Sequence, residues 1–543
     1  MSKIRLYIST ALHMKPSQIA FRIWRRVGGK TRLRYGYVPR PDVSRADVAR
    51  VPVLPELDFD PAFLYRFDVD AILEDRVDLL HYEEKIDWSR SWYDRLSVPL
   101  WRFNLHYHEF LLPLAKAYLD TSDDRYLDKA KTIVANWINA CPCDKGGVAW
   151  DPYVISMRIV SWLAFYGELA EKLDHDANFI ARLNSSLAKQ YVYLSKHLEK
   201  DLLANHYLEN LKALVILACY FDDAGTLDIA VPKLLEQVEE QILPDGMHFE
   251  LSPMYHKIVL EDLMRVASCL EKRGCAKWEL VGRFRLQDMC DCLYSLERNT
   301  NRTPLFNDSG DNVSKSGDAL LGCALNLFDL KPSFKSDLES SGYRIIEREA
   351  GVGLVKIIFD AGMPGPEYAL GHAHCDALSL EAFIDGEPVI VNCGTYAYQD
   401  ERRLDLKRTA AHSAPQARDV EQSECWASFR MGRRASCVGR RVGRYTVKGS
   451  MIDQSGNRLT RTVHIEADGI VEIEDETDSG SGLVSRLHLL EFDDETADKT
   501  SSLYCPEFGK ELRATCFKEE GECTITTVID LAARTIIRAN KSR

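Results

Sequence analysis

The chain has 543 residues, a formal net charge of −13 at pH 7, 28% charged and 45% hydrophobic residues. That length exceeds one ordinary core, so two or three domains are expected, and the composition excludes a collagenous, coiled-coil or disordered chain. The acidic balance argues against a nucleic-acid partner, and any anionic ligand must then be met by a local basic patch.

Residues 1–60 read as a basic, partly amphipathic lead-in. They lack the uninterrupted apolar core and small-residue cleavage site of a signal peptide, which gives the expectation of a cytoplasmic protein. The segment suits either docking on the protein's own body or peripheral association with an anionic membrane surface. No run of about 18 apolar residues occurs, so no transmembrane span is expected. The fifteen cysteines are scattered without metal-ribbon spacing. Only Cys141/Cys143 and Cys290/Cys292 lie close together, and an odd count in a chain of this size fits reduced thiols.

Residues 61–335 carry helical periodicity. In "SDDRYLDKAKTIVANWINAC", Ser122 offers a cap, and Tyr126, Leu127, Ala130, Ile133, Val134, Trp137 and Ile138 keep one face. "SPMYHKIVLEDLMRVASCLEKRG" repeats the pattern and stops near Gly274. "SMRIVSWLAFYGELAEKL" and "NHYLENLKALVILACYF" are more apolar and read as more deeply buried helices.

Residues 336–543 change character. "GVGLVKIIFD", "LEAFIDGEPVIVN", "TVHIEADGIVEIED", "LVSRLHLLEF" and "CTITTVID" are short and rich in Val, Ile and Thr. Asp385-Gly386 and Asp468-Gly469 interrupt two of them as hairpin signals. An antiparallel β-sandwich following a helical domain is the expected architecture.

Polar and aromatic residues cluster beside predicted helix starts: Asn104, His106, Tyr107 and His108; Trp150, Tyr153 and Arg158; Asn205, His206, Glu209 and Asn210; His248, Glu250, Tyr255 and His256. Aromatic residues in one cleft suit a sugar ring, and Asn, Arg and His suit its hydroxyls and carboxylate. Structural readings stand beside these: Asn205 as a helix N-cap, His106 and His108 as hydrogen-bonded wall residues, Tyr255 as a first-turn core aromatic. In the β half, His372 and His374 would share one side of an extended segment. His374, Asn392 and His412 come from separate segments and make a Zn²⁺ site conceivable. Arg402, Arg403, Lys407 and Arg408 lie between the last two, with Arg408 expected at substrate. Six arginines between Arg430 and Arg444 form a local basic patch or a solvated strand face.

Taken in order, "FNLHYHEF", "WDPYVISMRIV", "NHYLENLKAL", "DGMHFELSPMYHKIVLEDL", "PLFNDSGD", "GHAHCDALSLEAFIDGEPVIVNCGTYAY", "RTAAHS" and "QSECWASFRMGRRA" resemble the heparinase II/III-like polysaccharide lyases. The resemblance implies an (α/α) toroid of helical hairpins followed by an antiparallel β-sandwich, and β-elimination on a uronic-acid-containing polysaccharide. It implies that Asn205 polarises the substrate carboxylate and that Tyr255 is base or leaving-group acid with His372 as partner. His206 is a weaker catalytic candidate. Asn104, His106, Tyr107, Trp150, Tyr153, Arg158, Glu250 and Arg408 would contact substrate. His374, residue 392 and His412 would hold a structural metal. One position departs, since the family's "VDPGTY" is "VNCGTY" here and Asn392 brings no charge. With no leader apparent, exopolysaccharide or lipopolysaccharide metabolism is the expected setting. A non-catalytic glycan-binding or assembly protein and a metal-dependent hydrolase are the competing readings.

Overall fold

A computed structural model describes residues 3–28, 38–51, 54–93, 99–492 and 499–542. Long helices occupy the chain as far as Phe328, and strands take over from Asp337, where the hydrophobic period changes from 3.6 to 2. The architecture is an (α/α) toroid followed by an antiparallel β-sandwich.

The helix Asp124–Ala140 buries Ala130, Ile133, Val134 and Trp137, the centre of the predicted stripe. Its cap differs from expectation. Asp123 accepts the Arg125 N–H, while Ser122 has φ 55° and closes the preceding helix Leu111–Thr121. A left-handed residue that ends one helix cannot also supply the extended geometry of the next N-cap. The helix Pro253–Lys272 is capped by Ser252. At its end Gly274 has φ 64°, and the Cys275 N–H reaches the Leu270 carbonyl at 3.0 Å, which satisfies carbonyls the helix leaves open. The helix Ala204–Tyr220 is buried along nearly its whole length. It packs on Pro152–Glu168, Ala224–Gln241 and Pro253–Lys272, so its first turn is held rigidly against its neighbours.

The β half forms sheets of nine and six strands. Val447, Met451, Leu459 and Val463 of the smaller sheet meet Ile357, Phe359, Leu380 and Leu487 of the larger across a dry core, the arrangement alternation predicts. A separate cluster joins the two halves: Met247, Leu251, Leu296 and Phe306 pack on Tyr343, Ile345, Ile358 and Phe383. The Tyr343 hydroxyl donates to the Leu251 carbonyl at 2.7 Å. This junction fixes the segment Glu250–Tyr255 relative to the β half, and the candidate site lies beside it.

Candidate active site

A cavity of about 740 Å³ lies between the helical and β halves. Asn104, Tyr107, Tyr153, Asn205, His206, Glu250 and Tyr255 line it from one side, and His372, Tyr398 and Phe429 from the other.

Asn205 is not the N-cap of its helix. It sits in the first turn of Ala204–Tyr220, after Leu203 at φ 62°, ψ −148° and Ala204 at φ 50°. Positive φ recurs at Leu251 (56°), next to Glu250, and at Asn307 (53°), next to Asp308. Each such non-glycine residue costs about 1–3 kcal/mol, so the surrounding packing holds strained backbone beside three site residues. The Asn205 amide nitrogen donates to Glu250 Oε2 at 2.6 Å. Among the described residues its Oδ1 is buried without a partner, a polar atom left for something that enters the cavity. Burial pushes the Glu250 carboxyl up, against the opposing pull of His372 and Asn205.

His206 pairs through Nδ1 with Glu199 Oε1 at 3.0 Å, and its ring lies 4.8 Å from that of Tyr153. Burial alone would lower its pKa, but the carboxylates of Glu199, Asp151 and Glu250 outweigh it and the net shift is upward. That wall of the cavity therefore favours the cationic form of the imidazole.

Tyr255 and His372 pack together with ring centroids 4.1 Å apart and planes tilted by 39°. The Tyr255 hydroxyl shares a 2.8 Å hydrogen bond with that of Tyr398. Burial, and then Tyr398, raises the Tyr255 pKa well above the ordinary phenol value, so the group holds its proton. His372 Nδ1 lies 2.8 Å from Asp308 Oδ2, and His374 Nε2 lies 2.8 Å from Asp308 Oδ1. The two histidines thus point the same way, as their spacing predicts, although residues 371–379 form a loop and not a strand. Asp308 also takes both terminal nitrogens of Arg403 and the Thr395 hydroxyl at 3.2 Å. Burial would raise its carboxyl, yet Arg403, His372 and His374 hold it well below the usual range. An ionised Asp308 accepts only, so His372 carries its proton on Nδ1 and leaves Nε2 with a free lone pair.

The same logic applies to the proposed metal trio. The Arg408 carbonyl, 2.8 Å from His412 Nδ1, can only accept, so His412 Nε2 bears a lone pair. His374 gives its Nε2 proton to Asp308, since that contact is shorter than the 3.4 Å approach of Arg403 to the same nitrogen. Its Nδ1 then faces His412 Nε2 at 3.2 Å. Asn392 Oδ1 accepts the Ser413 N–H at 3.0 Å, and its amide nitrogen is buried without a partner. Among the described residues no three His, Cys, Asp or Glu side chains converge as a metal cage.

Four expected substrate contacts do not line the cavity. His106 is sealed in the wall between the Trp92 carbonyl at 3.1 Å and Trp137 Nε1 at 3.0 Å. Arg158 is fully buried, donating to Gln190, His106 and Ala149. Trp150 Nε1 donates to the Cys141 carbonyl at 2.9 Å. Arg408 pairs with Asp405 at the surface, and it is Arg403, on the buried side of the short helix Arg403–Lys407, that enters the site. The basic run divides: Arg430 and Arg434 line the cavity, while Arg433 pairs with Glu424 and Arg440 with Asp337. Asp308, Tyr398 and Glu199 are site residues that sequence reasoning passed over, and Arg403 was named there without a role. Asp308 meets its partners 64 and 95 positions away, so no local spacing announces it. The motif "PLFNDSGD" was its only signal.

Comparison with known proteins addresses the family and the fold. The chain is 25% identical over 271 residues to a heparin-sulfate lyase of Bacteroides thetaiotaomicron, covering 45% of this chain and 37% of that one. It is 23% identical over 363 residues to a heparin-sulfate lyase of Pedobacter heparinus, covering 61% and 54%. The matched regions thus span about a third to a half of these curated relatives. Among solved structures, heparinase III aligns with a TM-score of 0.67 at 15% identity, over 97% of this chain and 92% of that one. A mutant of the heparan sulfate lyase HepC from Pedobacter heparinus aligns with a TM-score of 0.56 at 18% identity, over 94% and 87%. These structural likenesses show the fold. Family models described as Heparinase II/III N-terminus and Heparinase II/III-like, C-terminal match residues 39–335 and 331–527, and the chain belongs to the heparinase II/III family.

Proposed function

We propose that the protein is a polysaccharide lyase that cleaves an anionic, uronic-acid-containing polysaccharide by β-elimination, in bacterial exopolysaccharide or lipopolysaccharide metabolism. The observation that carries this reading is the pairing of a protonated Tyr255 phenol with a His372 imidazole whose tautomer Asp308 sets. β-Elimination removes the C5 proton, breaks the C4–O bond, forms the C4=C5 double bond and returns a proton to the departing oxygen. His372 Nε2 supplies the lone pair that takes the C5 proton. Tyr255, whose pKa is raised, supplies the proton for the leaving oxygen. Charge that builds on the uronate carboxylate is met by Asn205 and by cationic His206. Glu250 with its raised pKa accommodates an anion when it is protonated. Tyr107 and Tyr153 give the sugar rings apolar walls.

The test is incubation with a panel of uronate polymers, with the absorbance of the unsaturated product as readout. Product from one polymer is the expected result. A reducing end without an unsaturated ring would overturn elimination in favour of hydrolysis, and binding without any product would favour a glycan-binding protein.

We further propose a structural Zn²⁺ between His374 and His412. Burial lowers their pKa values to about 3 and about 4, so both rings are neutral at pH 7. Two lone pairs facing each other at 3.2 Å repel unless a cation lies between them, and imidazole nitrogens suit Zn²⁺. Such an ion would tie the loop carrying His372 to the segment carrying His412. Asn392 adds only a neutral oxygen that already accepts from Ser413, so affinity should be modest. Asn392→Asp is expected to tighten the site. With saturating Zn²⁺ the variant should gain about 2 kcal/mol over its chelator-treated form, read as a rise in melting temperature larger than that of the wild type. Equal melting curves with Zn²⁺ and with chelator, for both proteins, would remove the metal.

A further inference from the structure

The lead-in forms two helices, Lys3–Ala11 and Pro16–Gly28, which roof the cavity. Thr10, Met14, Gln18 and Arg22 line it from above. The hairpin is fastened to both halves of the protein. Tyr7 packs edge-on against Trp426 at 4.9 Å, and Trp426 Nε1 donates to the Thr10 hydroxyl at 3.1 Å. Gln18 donates to the Leu202 carbonyl at 3.1 Å, and Arg25 pairs with Asp201 at 3.2 Å.

The outer side of this roof is apolar. Ile4, Ile8 and Leu12 recur at four-residue spacing and are 71%, 55% and 79% exposed, and on the second helix Ile23 is 59% exposed. Scattered exposed apolar residues need no explanation, but a stripe along a short hairpin does. Its charge is of one sign, with Lys15 and Arg25 paired to Glu240 and Asp201 of the body, Arg22 lining the cavity, and Lys3 and Arg5 exposed. Residues 3–28 hold six Lys and Arg and no Asp or Glu, in a chain whose net charge is −13.

We propose that this hairpin docks the protein on an anionic lipid surface, with Ile4, Ile8, Leu12 and Ile23 entering the headgroup region and the exposed Lys3 and Arg5 facing acidic headgroups. An amphipathic helix with basic flanks and bulky apolar residues binds such an interface through both terms. A second copy of the chain fits less well, because two hairpins of the same positive charge would meet face to face. The rest of the molecule carries a net negative charge that the same bilayer would repel, so the hairpin, with Arg430 over its Tyr7 ring, leads the contact. Because it also roofs the cavity, docking sets the cavity mouth at the membrane surface. Resting on the lyase reading above, this places the substrate among polysaccharides held at or emerging from a membrane.

The experiment is flotation of the full chain with vesicles of phosphatidylglycerol and phosphatidylcholine, and with phosphatidylcholine alone. It reads binding only, so its outcome is independent of whether the protein is a lyase. The expected result is flotation on the anionic vesicles, weakened by salt, and little on neutral ones. The double variant Ile8→Asp with Leu12→Asp, at positions that line neither the cavity nor a contact with the body, should keep the wild-type melting temperature and lose vesicle affinity by about tenfold or more. No flotation on anionic vesicles, or undiminished flotation of the double variant, would overturn the proposal. So would light scattering that shows a wild-type dimer and a monomeric double variant, which would assign the stripe to a second copy.

Discussion

Tyr255→Phe is expected to lower turnover by about 10²–10⁴-fold while leaving substrate binding largely intact, the range for loss of a positioned acid–base group. The variant removes one oxygen and keeps a ring that packs against His372 at a tilt of 39°, centroids 4.1 Å apart. What it leaves behind is the Tyr398 hydroxyl, which loses its 2.8 Å partner, at a cost of about 1 kcal/mol in stability. Turnover and melting therefore separate: a large kinetic loss with a small thermal one marks a proton-transfer role, and the reverse marks a packing role. Tyr398→Phe is the control. It removes the other end of the same hydrogen bond but leaves the Tyr255 proton in place, so its turnover should fall far less. If both variants lose turnover equally, the proton is not Tyr255's own to give, and the two hydroxyls act as one relay. Near-normal turnover of Tyr255→Phe would take Tyr255 out of the chemistry.

The fold was legible because its signals are local. Alternation and Asp-Gly turns mark the strands from residue 343 onward, and stripes such as Ala130, Ile133, Val134 and Trp137 mark helices whatever they pack against. Residues at helix starts were legible for the same reason, and Asn205, His206 and Tyr255 do line the cavity. Misreadings arose where the same local signal serves a wall. His106, in the last turn of the helix Pro99–Tyr107, and Arg158, in the second turn of Pro152–Glu168, lie in aromatic-rich stretches like those of the site, yet their polar atoms are consumed by Trp92, Trp137, Gln190 and backbone carbonyls. Periodicity says that a residue is buried, not whether its polar atoms are spent. Asp308 was invisible for the opposite reason. Its importance lies wholly in contacts with Arg403, His372 and His374, which arrive from a short helix and a loop far along the chain. A lone aspartate in a loop carries no periodic signal at all.

Asp308 is accordingly where the largest loss of stability is expected. Its two oxygens receive N–H groups from Arg403, His372 and His374 and the Thr395 hydroxyl. Asp308→Asn keeps the shape but replaces one accepting oxygen with a donating NH₂, which must then face another donor, and it leaves the buried Arg403 charge without a counterion. Removing one partner of such a buried pair costs about 3–5 kcal/mol. The kinetic effect follows from the tautomer. Where the new NH₂ takes the place of Oδ2 it donates to Nδ1, the His372 proton moves to Nε2, and Nε2 loses the lone pair that elimination needs. Asp308 is thus a positioning residue, and turnover should drop on the scale of Tyr255→Phe although it touches no substrate. The pH dependence has a definite sign. The Asp308 pKa is depressed in the folded protein, so its stabilisation is present above the unfolded carboxyl's value of about 4 and is lost as pH falls from there toward the folded pKa. Melting curves from pH 7 to pH 3 should show the wild type losing stability across the acid end of that range, with Asp308→Asn less stable throughout and less steep. Nitrogen-resolved NMR of His372 gives a readout that packing alone would not move, with Nδ1 protonated in the wild type and the proton released from it in the variant. A variant with wild-type melting, slope and tautomer would show that Arg403, His372 and His374 do not depend on this carboxylate.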